Sequence, residues 1–407
     1  MRKMKDSGIE WIGEIPENWK CSKSKYYIQI TNGSDPKTEG DIPVYGSGSG
    51  CFKTCGESKE GPAVLLGRKG TVDIPQYVEG KFWNVDTAFD VKTYENKLLL
   101  KYYFYLSTCF DYRFCTATTT LPSMTQTSYE NMFIPVPDIA IQHKIVTYIE
   151  SKCEKLDTII VAKKKTNELL KERRQSIIYE AVTKGLDPTV PMKDSGIEWI
   201  GEIPESWSFS KLKYDAYMKG RIGWQGLKAD EFIEEGPYLV TGTDFEDGKV
   251  RWERSYHISE ERFNEAPEIQ LKEQDLLITK DGTIGKLAYI DYLPGLASLN
   301  SHLLVIRPKR ERFLNKYLYW VLSSDVFFQY TEYAQDGTIM ASLSQEKISQ
   351  FVFGLPSIQE QQMIAKYLDE QCAEIDALIS GNESTIEKLK EYRQSVIYEA
   401  VTGKVEI

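Results

Sequence analysis

Several absences limit what this 407-residue chain can be. No run of apolar residues approaches the ~18 that a membrane-spanning helix needs, and the opening MRKMKDSGIEWIGE lacks the apolar core of a signal peptide. The seven cysteines are scattered and odd in number, which indicates reduced thiols and not a disulfide framework. We therefore expect a cytoplasmic protein without a membrane segment.

Motifs for common catalytic and cofactor sites are also missing. DGTIGKL, residues 281–287, has a Gly-Lys pair but lacks both the first glycine and the following hydroxyl of a phosphate-binding loop. GSGSG, residues 46–50, is not followed by a helical pattern, so it predicts a flexible turn and not a dinucleotide site. The three histidines, His143, His257 and His302, lie far apart in sequence, and we interpret them as structural or surface residues.

The sequence also lacks motifs for metal binding and for methyl transfer. Cys51 and Cys55 have no partners for a four-ligand zinc site, and the acidic cluster at residues 268–275 is the kind that arises by chance. The Asn/Asp-Pro-Pro-aromatic tetrad of amino-methyltransferases does not occur. A chain of this size without a reactive constellation predicts a recognition or assembly subunit. Its net charge of −10 argues against coating nucleic acid non-specifically but leaves local basic surfaces open.

What the chain does contain is two internal repeats with different shifts. Residues 4–19 recur as residues 192–207, a shift of 188, with one difference. Residues 173–184 recur as residues 392–403, a shift of 219, with nine of twelve positions identical. The two halves are therefore duplicated frames around variable blocks, and the second block is longer by 31 residues. Joining the termini would recreate the central junction, so we infer a cyclic molecule with approximate two-fold symmetry.

The segments at residues 141–184 and 359–404 predict two long helices, although Gly381 interrupts the second pattern. Apolar residues recur at three- and four-residue steps and form a predicted seam: Ile145, Ile149, Leu156, Ile160, Leu170, Ile177, Ile364, Leu368, Ile375, Ile379, Leu389 and Val396. Near the middle, polar residues such as Lys163 and its counterpart Asn382 are predicted to fix the register. The net charges, +4 and −4, favour pairing between the helices. The alternative is that each helix packs only on its own domain.

The variable blocks are rich in tyrosine, glycine and short β-type runs and predict β-rich α+β domains. LLGRKGTV and LITKDGTIGK take comparable places in the two blocks, and each offers cations, hydroxyls and backbone N–H groups suited to phosphates and base edges. The alternative for any one residue is a solvated hairpin lysine. With the basic-aromatic segment KGRIGWQGLK and two polar loops, the candidate DNA contacts are Arg68, Lys69, Thr71, Thr125, Gln126, Arg221, Trp224, Gln225, Lys228, Lys280, Thr283, Lys286 and Thr338.

These features together resemble one family. The duplicated GIEWIGEIPE-W segment, the blocks ending in IPVP or FGLP, the Q-x(2)-I-x(2)-Y-[IL]-[DE] helix start and the RQS-[IV]-I-YEAVT exit resemble the specificity subunit of type I DNA restriction-modification enzymes. The resemblance spans the whole chain. It implies two target-recognition domains, each reading one half of a bipartite asymmetric site in double-stranded DNA, and an antiparallel coiled coil that sets their spacing. It also implies two modification (methyltransferase) subunits and restriction subunits as partners, which would carry S-adenosylmethionine, magnesium and ATP.

On this basis the expected fold class is α+β, with two recognition domains separated by the paired helices in a pseudo-two-fold cyclic arrangement. The expected divisions are a conserved N-terminal segment, recognition domain 1, a long helix, a linker repeating the N-terminal segment, recognition domain 2 and a second long helix, at residues 1–19, 20–140, 141–184, 185–207, 208–358 and 359–407. Two other functions remain open at this point: a scaffold for a different assembly, and a fused nuclease or methyltransferase that acts alone.

Overall fold

The computed structural model describes residues 2–94, 96–112, 122–221, 227, 231–280, 285–333 and 344–407. Up to the end of the first long helix, the elements are β1 (Met4–Asp6), β2 (Glu14–Pro16), β3 (Lys20–Lys23), β4 (Ile28–Asn32), β5 (Ile42–Tyr45), β6 (Cys51–Cys55), β7 (Lys59–Glu60), β8 (Ala63–Gly67), β9 (Gln76–Val78), β10 (Lys81–Asn84), β11 (Ala88–Thr93), α1 (Leu100–Ser107), α2 (Gln126–Asn131), β12 (Phe133–Val136) and α3 (Ile139–Lys184).

The second half of the chain repeats this order with additions. Its elements are β13 (Met192–Asp194), β14 (Glu202–Pro204), β15 (Ser208–Lys211), α4 (Leu212–Asp215), β16 (Ala216–Lys219), β17 (Ile233–Val240), β18 (Phe245–Glu246), β19 (Lys249–Val250), β20 (Tyr256–His257), α5 (Glu260–Asn264), β21 (Leu276–Thr279), β22 (Leu287–Tyr289), β23 (Ala297–Leu299), β24 (Leu303–Pro308), α6 (Asn315–Leu322), α7 (Asp325–Tyr333), α8 (Gln345–Gln350), β25 (Val352–Leu355) and α9 (Ile358–Val401).

The chain forms two compact units, and each long helix is divided between them. Unit 1 comprises Met1–Lys165 and Asn382–Ile407, and unit 2 comprises Thr166–Gly381. Both chain ends therefore belong to the same unit. Of the described helices, none is both long and apolar enough to cross a membrane.

The two units contain closely matching arrangements of strands. In unit 1 one sheet has the order β4-β11-β8-β9 and another has β6-β5-β10-β7; in unit 2 the matching orders are β16-β24-β21-β22 and β20-β17-β23, in which β7 has no counterpart among the described residues. β5 and β10 are parallel, as are β17 and β23. The central strands β8 and β21 are short apolar runs that are buried along their whole length. Blocks of different sequence therefore build one topology, since each supplies buried apolar runs at the same places in the order.

The paired helices are present, and their direction is antiparallel within each unit. In unit 1, Arg393 Nε lies 3.2 Å from Asp157 Oδ1, and Lys163 Nζ donates to Asn382 Oδ1 at 2.9 Å. In unit 2, Arg174 Nε lies 3.1 Å from Asp376 Oδ1. The shift of 219 maps one ion pair onto the other, and it maps Lys163 onto Asn382.

Most of the predicted seam residues are buried, and three are half-buried: Leu170, Ile177 and Leu389. The predicted antiparallel pairing is confirmed, and the alternative in which each helix packs only on its own domain is not what the structure shows. One expectation was wrong. Gly381 does not interrupt α9, which continues from Ile358 to Val401, because packing on both sides of one glycine outweighs its cost of about 1 kcal/mol.

The glutamine of the repeated motif at the start of each long helix is buried and has a structural role. The Gln142 side chain is fully buried; its amide donates to Pro137 O at 2.8 Å, and its oxygen accepts from Leu99 N at 2.8 Å. Gln361 does the same in unit 2, donating to Pro356 O at 3.0 Å and accepting from Leu314 N at 2.8 Å. Because Leu99 and Leu314 precede α1 and α6 and have no side-chain caps, each glutamine anchors a helix start to the long helix.

Contacts near the chain termini confirm the cyclic arrangement. In unit 2, Tyr179 Oη donates to Ile200 O at 3.4 Å across the continuous central junction. In unit 1 the equivalent Tyr398 Oη donates to Ile12 O at 3.1 Å, although these residues are 386 positions apart. Lys404 Nζ also donates to Ile12 O, at 3.1 Å. The two ends of the chain thus rebuild the junction that the middle of the chain makes directly.

Each of the repeated segments 4–19 and 192–207 ends in a buried tryptophan, and the two tryptophans differ in their hydrogen bonds. Trp207 Nε1 donates to Glu360 Oε1 at 3.0 Å. Trp19 is equally buried, but its indole N–H has no hydrogen-bond partner among the described residues. The reason is a substitution in the repeat: the shift of 219 places Ile141 where unit 2 has Glu360.

Candidate nucleic-acid interface

In unit 1 the structure brings two of the predicted segments together. The loop after β8, residues 68–75, which we call hairpin loop 1, lies against residues 122–126. Met124 N donates to Arg68 O at 2.9 Å, Gly70 N donates to Pro122 O at 2.9 Å, and Lys69 forms an isolated β-bridge with Ser123. Five of the predicted DNA contacts therefore share one part of unit 1: Arg68, Lys69, Thr71, Thr125 and Gln126.

These five side chains differ in their exposure to solvent. Lys69 and Thr71 are exposed. Arg68 is half-buried, its guanidinium donating to Asp86 O at 3.3 Å and lying over the Phe89 ring at 6.0 Å. These contacts fix the direction of Arg68 and leave Lys69 as the more exposed cation of the loop.

Thr125 and Gln126 have structural bonds of their own. Thr125 caps α2, its Oγ1 accepting from Ser128 N at 3.0 Å, and the Gln126 amide donates to Glu130 Oε1 at 2.7 Å. The hydroxyl therefore stabilises the first turn of α2. The sequence did not indicate this role, because the helix has only six residues and no apolar periodicity.

The GSGSG turn, residues 46–50, borders the same region and is tied down by side chains. Gln76 bridges it, accepting from Gly50 N at 2.8 Å and donating to Gly46 O at 2.9 Å. Thr87 Oγ1 accepts from Ser47 N at 3.3 Å. The sequence predicts only a flexible turn here. The missed signal was its position after β5, one of the two parallel strands, where loops at strand ends converge.

In unit 2 the segment after β21 is described only at Lys280, Gly285 and Lys286. Lys280 N donates to His302 O at 2.9 Å, and Lys286 N donates to Thr279 Oγ1 at 2.9 Å. Lys286 Nζ reaches Gly242 O at 3.4 Å, so this cation lies against the turn after β17. Lys280 and Lys286 are both half-exposed, and His302, which lies beside them, is exposed. The predicted contact Thr283 lies outside the described residues.

Arg221, which the sequence predicts as a DNA contact, is buried in the structure. It is only 3% exposed, and its guanidinium donates to Leu299 O and to Ser298 Oγ, each at 3.0 Å. Burial lowers the pKa of this guanidinium from its ordinary value, and neighbouring Arg262 lowers it further. Arg221 therefore holds β23 in place and is not positioned as a DNA contact. Its predicted neighbours Trp224, Gln225 and Lys228, and Thr338 in another loop, lie outside the described residues.

The acidic cluster at residues 268–275 contains a structural ion pair. Asp275 accepts two bonds of 2.6 Å from Arg307, in a bidentate pair in which the carboxylate is almost fully buried. Across the described part of the chain, no group of three or more His, Cys, Asp or Glu side chains is placed to hold a metal ion.

Comparison with known proteins decides the family. The sequence model described as the type I restriction modification DNA specificity domain matches residues 16–171 and again residues 222–388. This chain belongs to that family. The two matches fall on the two duplicated halves, in agreement with the repeats and with the shared topology of units 1 and 2.

Curated relatives and solved structures agree with the assignment. The chain is 24% identical to the type I restriction enzyme MjaVIII specificity subunit of Methanocaldococcus jannaschii over 388 residues, covering 94% of this chain and 83% of that protein. It is 23% identical to the EcoR124I/EcoR124II specificity subunit of Escherichia coli, covering 96% and 94%. A chain from a structural study of type I restriction-modification complex assembly and conformational transition matches with a TM-score of 0.74 at 16% identity, covering 96% of this chain and 99% of that one. The HsdS subunit from Thermoanaerobacter tengcongensis matches with a TM-score of 0.52 at 16% identity, covering 96% and 98%. The protein is a specificity subunit of a type I restriction-modification system.

Proposed function

We propose that unit 1 and unit 2 each read one half of a bipartite, asymmetric site in double-stranded DNA. The observation that carries this proposal is the pairing of a common sheet topology with unlike loops: RKGT follows β8 in unit 1, and KDGTIGK follows β21 in unit 2. Both segments follow the matching strand of a shared sheet order, and their different side chains would favour different bases. Such an arrangement produces a site with two unrelated halves and an unread middle.

We further propose that the two helices set the length of that middle. α3 and α9 each continue without a break from one unit into the other, and the residue pairs Lys163–Asn382 and Arg174–Asp376 hold them in register. A packed helix pair resists bending and stretching far better than a loop of the same length, so it suits the role of a spacer.

Charge supports a role within a larger complex. Residues 20–140 have no net charge, and residues 208–358 have a net charge of −4, so neither block offers the strong positive field of a protein that binds DNA tightly by itself. We propose that two modification subunits add phosphate contacts and supply methyl transfer, and that restriction subunits supply cleavage. S-adenosylmethionine, magnesium and ATP would then bind to these partners.

Methylation mapping tests the proposal. The chain is co-expressed with its modification subunits in a host without adenine methylation, and the DNA is examined by single-molecule sequencing. We expect one two-part motif with an unread gap, absent when the chain is omitted. The purified chain alone, with S-adenosylmethionine and DNA, should neither methylate nor cleave, and activity there would support the self-sufficient enzyme instead. No chain-dependent motif would favour a scaffold for another assembly.

Single charge changes locate the interface in the assembled complex. Lys69→Ala or Lys280→Ala should reduce the slope of log binding constant against log salt concentration by about 1, as expected for one lost phosphate contact. Lys25→Ala removes an exposed lysine of unit 1 outside hairpin loop 1 and is the matched control. Equal slopes for the three variants and the unchanged complex would show that these loops do not face DNA.

A further inference from the structure

The strand β6 carries an exposed aromatic residue, Phe52. β6 is at the edge of its sheet and pairs with β5, with Val44 opposite Lys53 and Tyr45 opposite Cys51. Phe52 is thus the extra residue of a β-bulge. Bulges occur at sheet edges and beside functional sites, where they redirect a side chain.

The Phe52 side chain is 59% exposed, and Lys53 Nζ lies 5.6 Å from the centre of its ring. An exposed phenylalanine loses hydrophobic stabilisation, and an edge strand with an exposed ring invites unwanted strand pairing. Phe52 belongs to none of the hydrophobic clusters described in unit 1. Its ring is therefore available to contact a ligand.

The ring borders the loops of the candidate interface. A Cβ atom built on Gly46 would lie 3.5 Å from Phe52 Cε1 and 3.0 Å from Thr87 Oγ1. A Cβ atom built on Gly70 of hairpin loop 1 would lie 3.4 Å from Ser47 Oγ. Phe52, the GSGSG turn and hairpin loop 1 therefore border one another, and this surface carries the ring with Lys53 beside it and Lys69 in the neighbouring loop.

Unit 2 presents an aromatic ring on the matching edge strand. Tyr256 of β20 is 50% exposed and stacks on Phe232 with ring centres 4.5 Å apart. It pairs with Leu239, two residues before the turn that Lys286 contacts. The sequences around Phe52 and Tyr256 are unrelated, so the two blocks place an aromatic residue on the same edge strand independently.

We propose that Phe52 makes an apolar contact with one base of the half-site that unit 1 reads, and that Phe52 is therefore a specificity-determining residue. This inference rests on the function proposed above. The flanking lysines would meet phosphates, while the ring meets either a thymine methyl group or the face of a base. Apolar contact of this kind carries sequence information, which phosphate contacts do not.

The test compares Phe52→Ala with Phe133→Ala in the complete complex. Phe133 is the matched control, because it lies in the same unit on β12, is 37% exposed and has its own lysine, Lys23, with Nζ 5.8 Å from the ring centre. Methylation mapping of the unchanged complex first defines the motif. If that complex yields no motif, the proposed function fails, and this inference falls with it.

Given a motif, Phe52→Ala should relax one base position in one half-site and weaken binding to the full site by about 5- to 100-fold. Phe133→Ala should change neither the motif nor the affinity, and Phe52→Tyr, which keeps the ring, should retain most of both. Equal melting temperatures for the variants exclude a folding defect. A Phe52→Ala complex with the original motif and affinity would overturn the inference.

Base substitution then separates the two kinds of contact. Replacing thymine by uracil at the affected position removes only a methyl group. If the ring contacts that methyl group, uracil weakens binding by the unchanged complex and has little further effect on the Phe52→Ala complex. If the ring stacks on a base, uracil leaves binding by the unchanged complex as it was, and Phe52→Ala still weakens it.

Discussion

Lengthening the two long helices is the sharpest perturbation of the proposed spacer. Four residues are inserted after Lys165 in α3, and four more before Asn382 in α9. Because both insertions fall at the same level, between the Lys163–Asn382 and Arg174–Asp376 pairs, the helices gain equal length and the contacts on either side keep their register.

The expected change follows from helix geometry. Four residues add about 6 Å, and they rotate one end relative to the other by about 40° beyond a full turn. One base pair of B-DNA advances about 3.4 Å and rotates about 34°. The rise corresponds to slightly under two base pairs, and the rotation corresponds to about one. We therefore expect the unread gap to lengthen by one or two base pairs while both half-sites keep their sequences.

Methylation mapping of the variant measures the gap directly. A matched control inserts the same four residues into α3 alone, which shifts one set of helix contacts against the other and should reduce thermal stability and methylation together. If the double insertion is stable and methylates the original spacing, the helices do not set the gap, and the reasoning is refuted.

Three further predictions concern stability and reactivity. Asp275→Asn leaves the Arg307 guanidinium partly buried without its bidentate partner, and it should lower the free energy of unfolding by about 3 kcal/mol in urea titrations; a loss under 1 kcal/mol would contradict this. Trp207→Phe should cost about 1 to 2 kcal/mol more than Trp19→Phe, since only Trp207 loses a described hydrogen bond, and equal costs would show that the bond adds nothing. Burial raises the pKa of the Cys372 thiol to about 11, so the unfolded chain deprotonates first, and this group should reduce stability as the pH rises from about 9 to 11. Replacing Cys372 by Ala should flatten that decline, and an unchanged pH profile would contradict the assignment.

The duplicated frame was predictable because its signals are local and repeat. Two shifts in the sequence located the constant segments, and their apolar spacing predicted the two long helices. The cyclic closure followed from the order of the repeats, and the Tyr398–Ile12 contact bears it out. Periodicity does not reveal the partition into two units. The unit to which each half of a long helix belongs depends on contacts between segments that are distant in sequence.

The surface positions of the candidate contacts were predictable only in part, for the same reason. Lys69 is exposed and Lys280 is half-exposed. Arg221 is buried instead, because its partners are about 77 positions away and no local pattern reveals them. Phe52 was overlooked because the bulge that exposes it is defined by its pairing with β5, which the sequence of β6 does not encode alone.

Exchange of one variable block tests most directly whether this subunit carries two independent readers. Residues 20–140 are replaced by the corresponding block of a family member whose motif has been mapped in the same assay, and the methylated motif of the hybrid complex is determined. We expect one half-site to become that of the donor, with the other half-site and the unread gap unchanged. A hybrid that folds and assembles but alters both half-sites, or neither, would contradict the account.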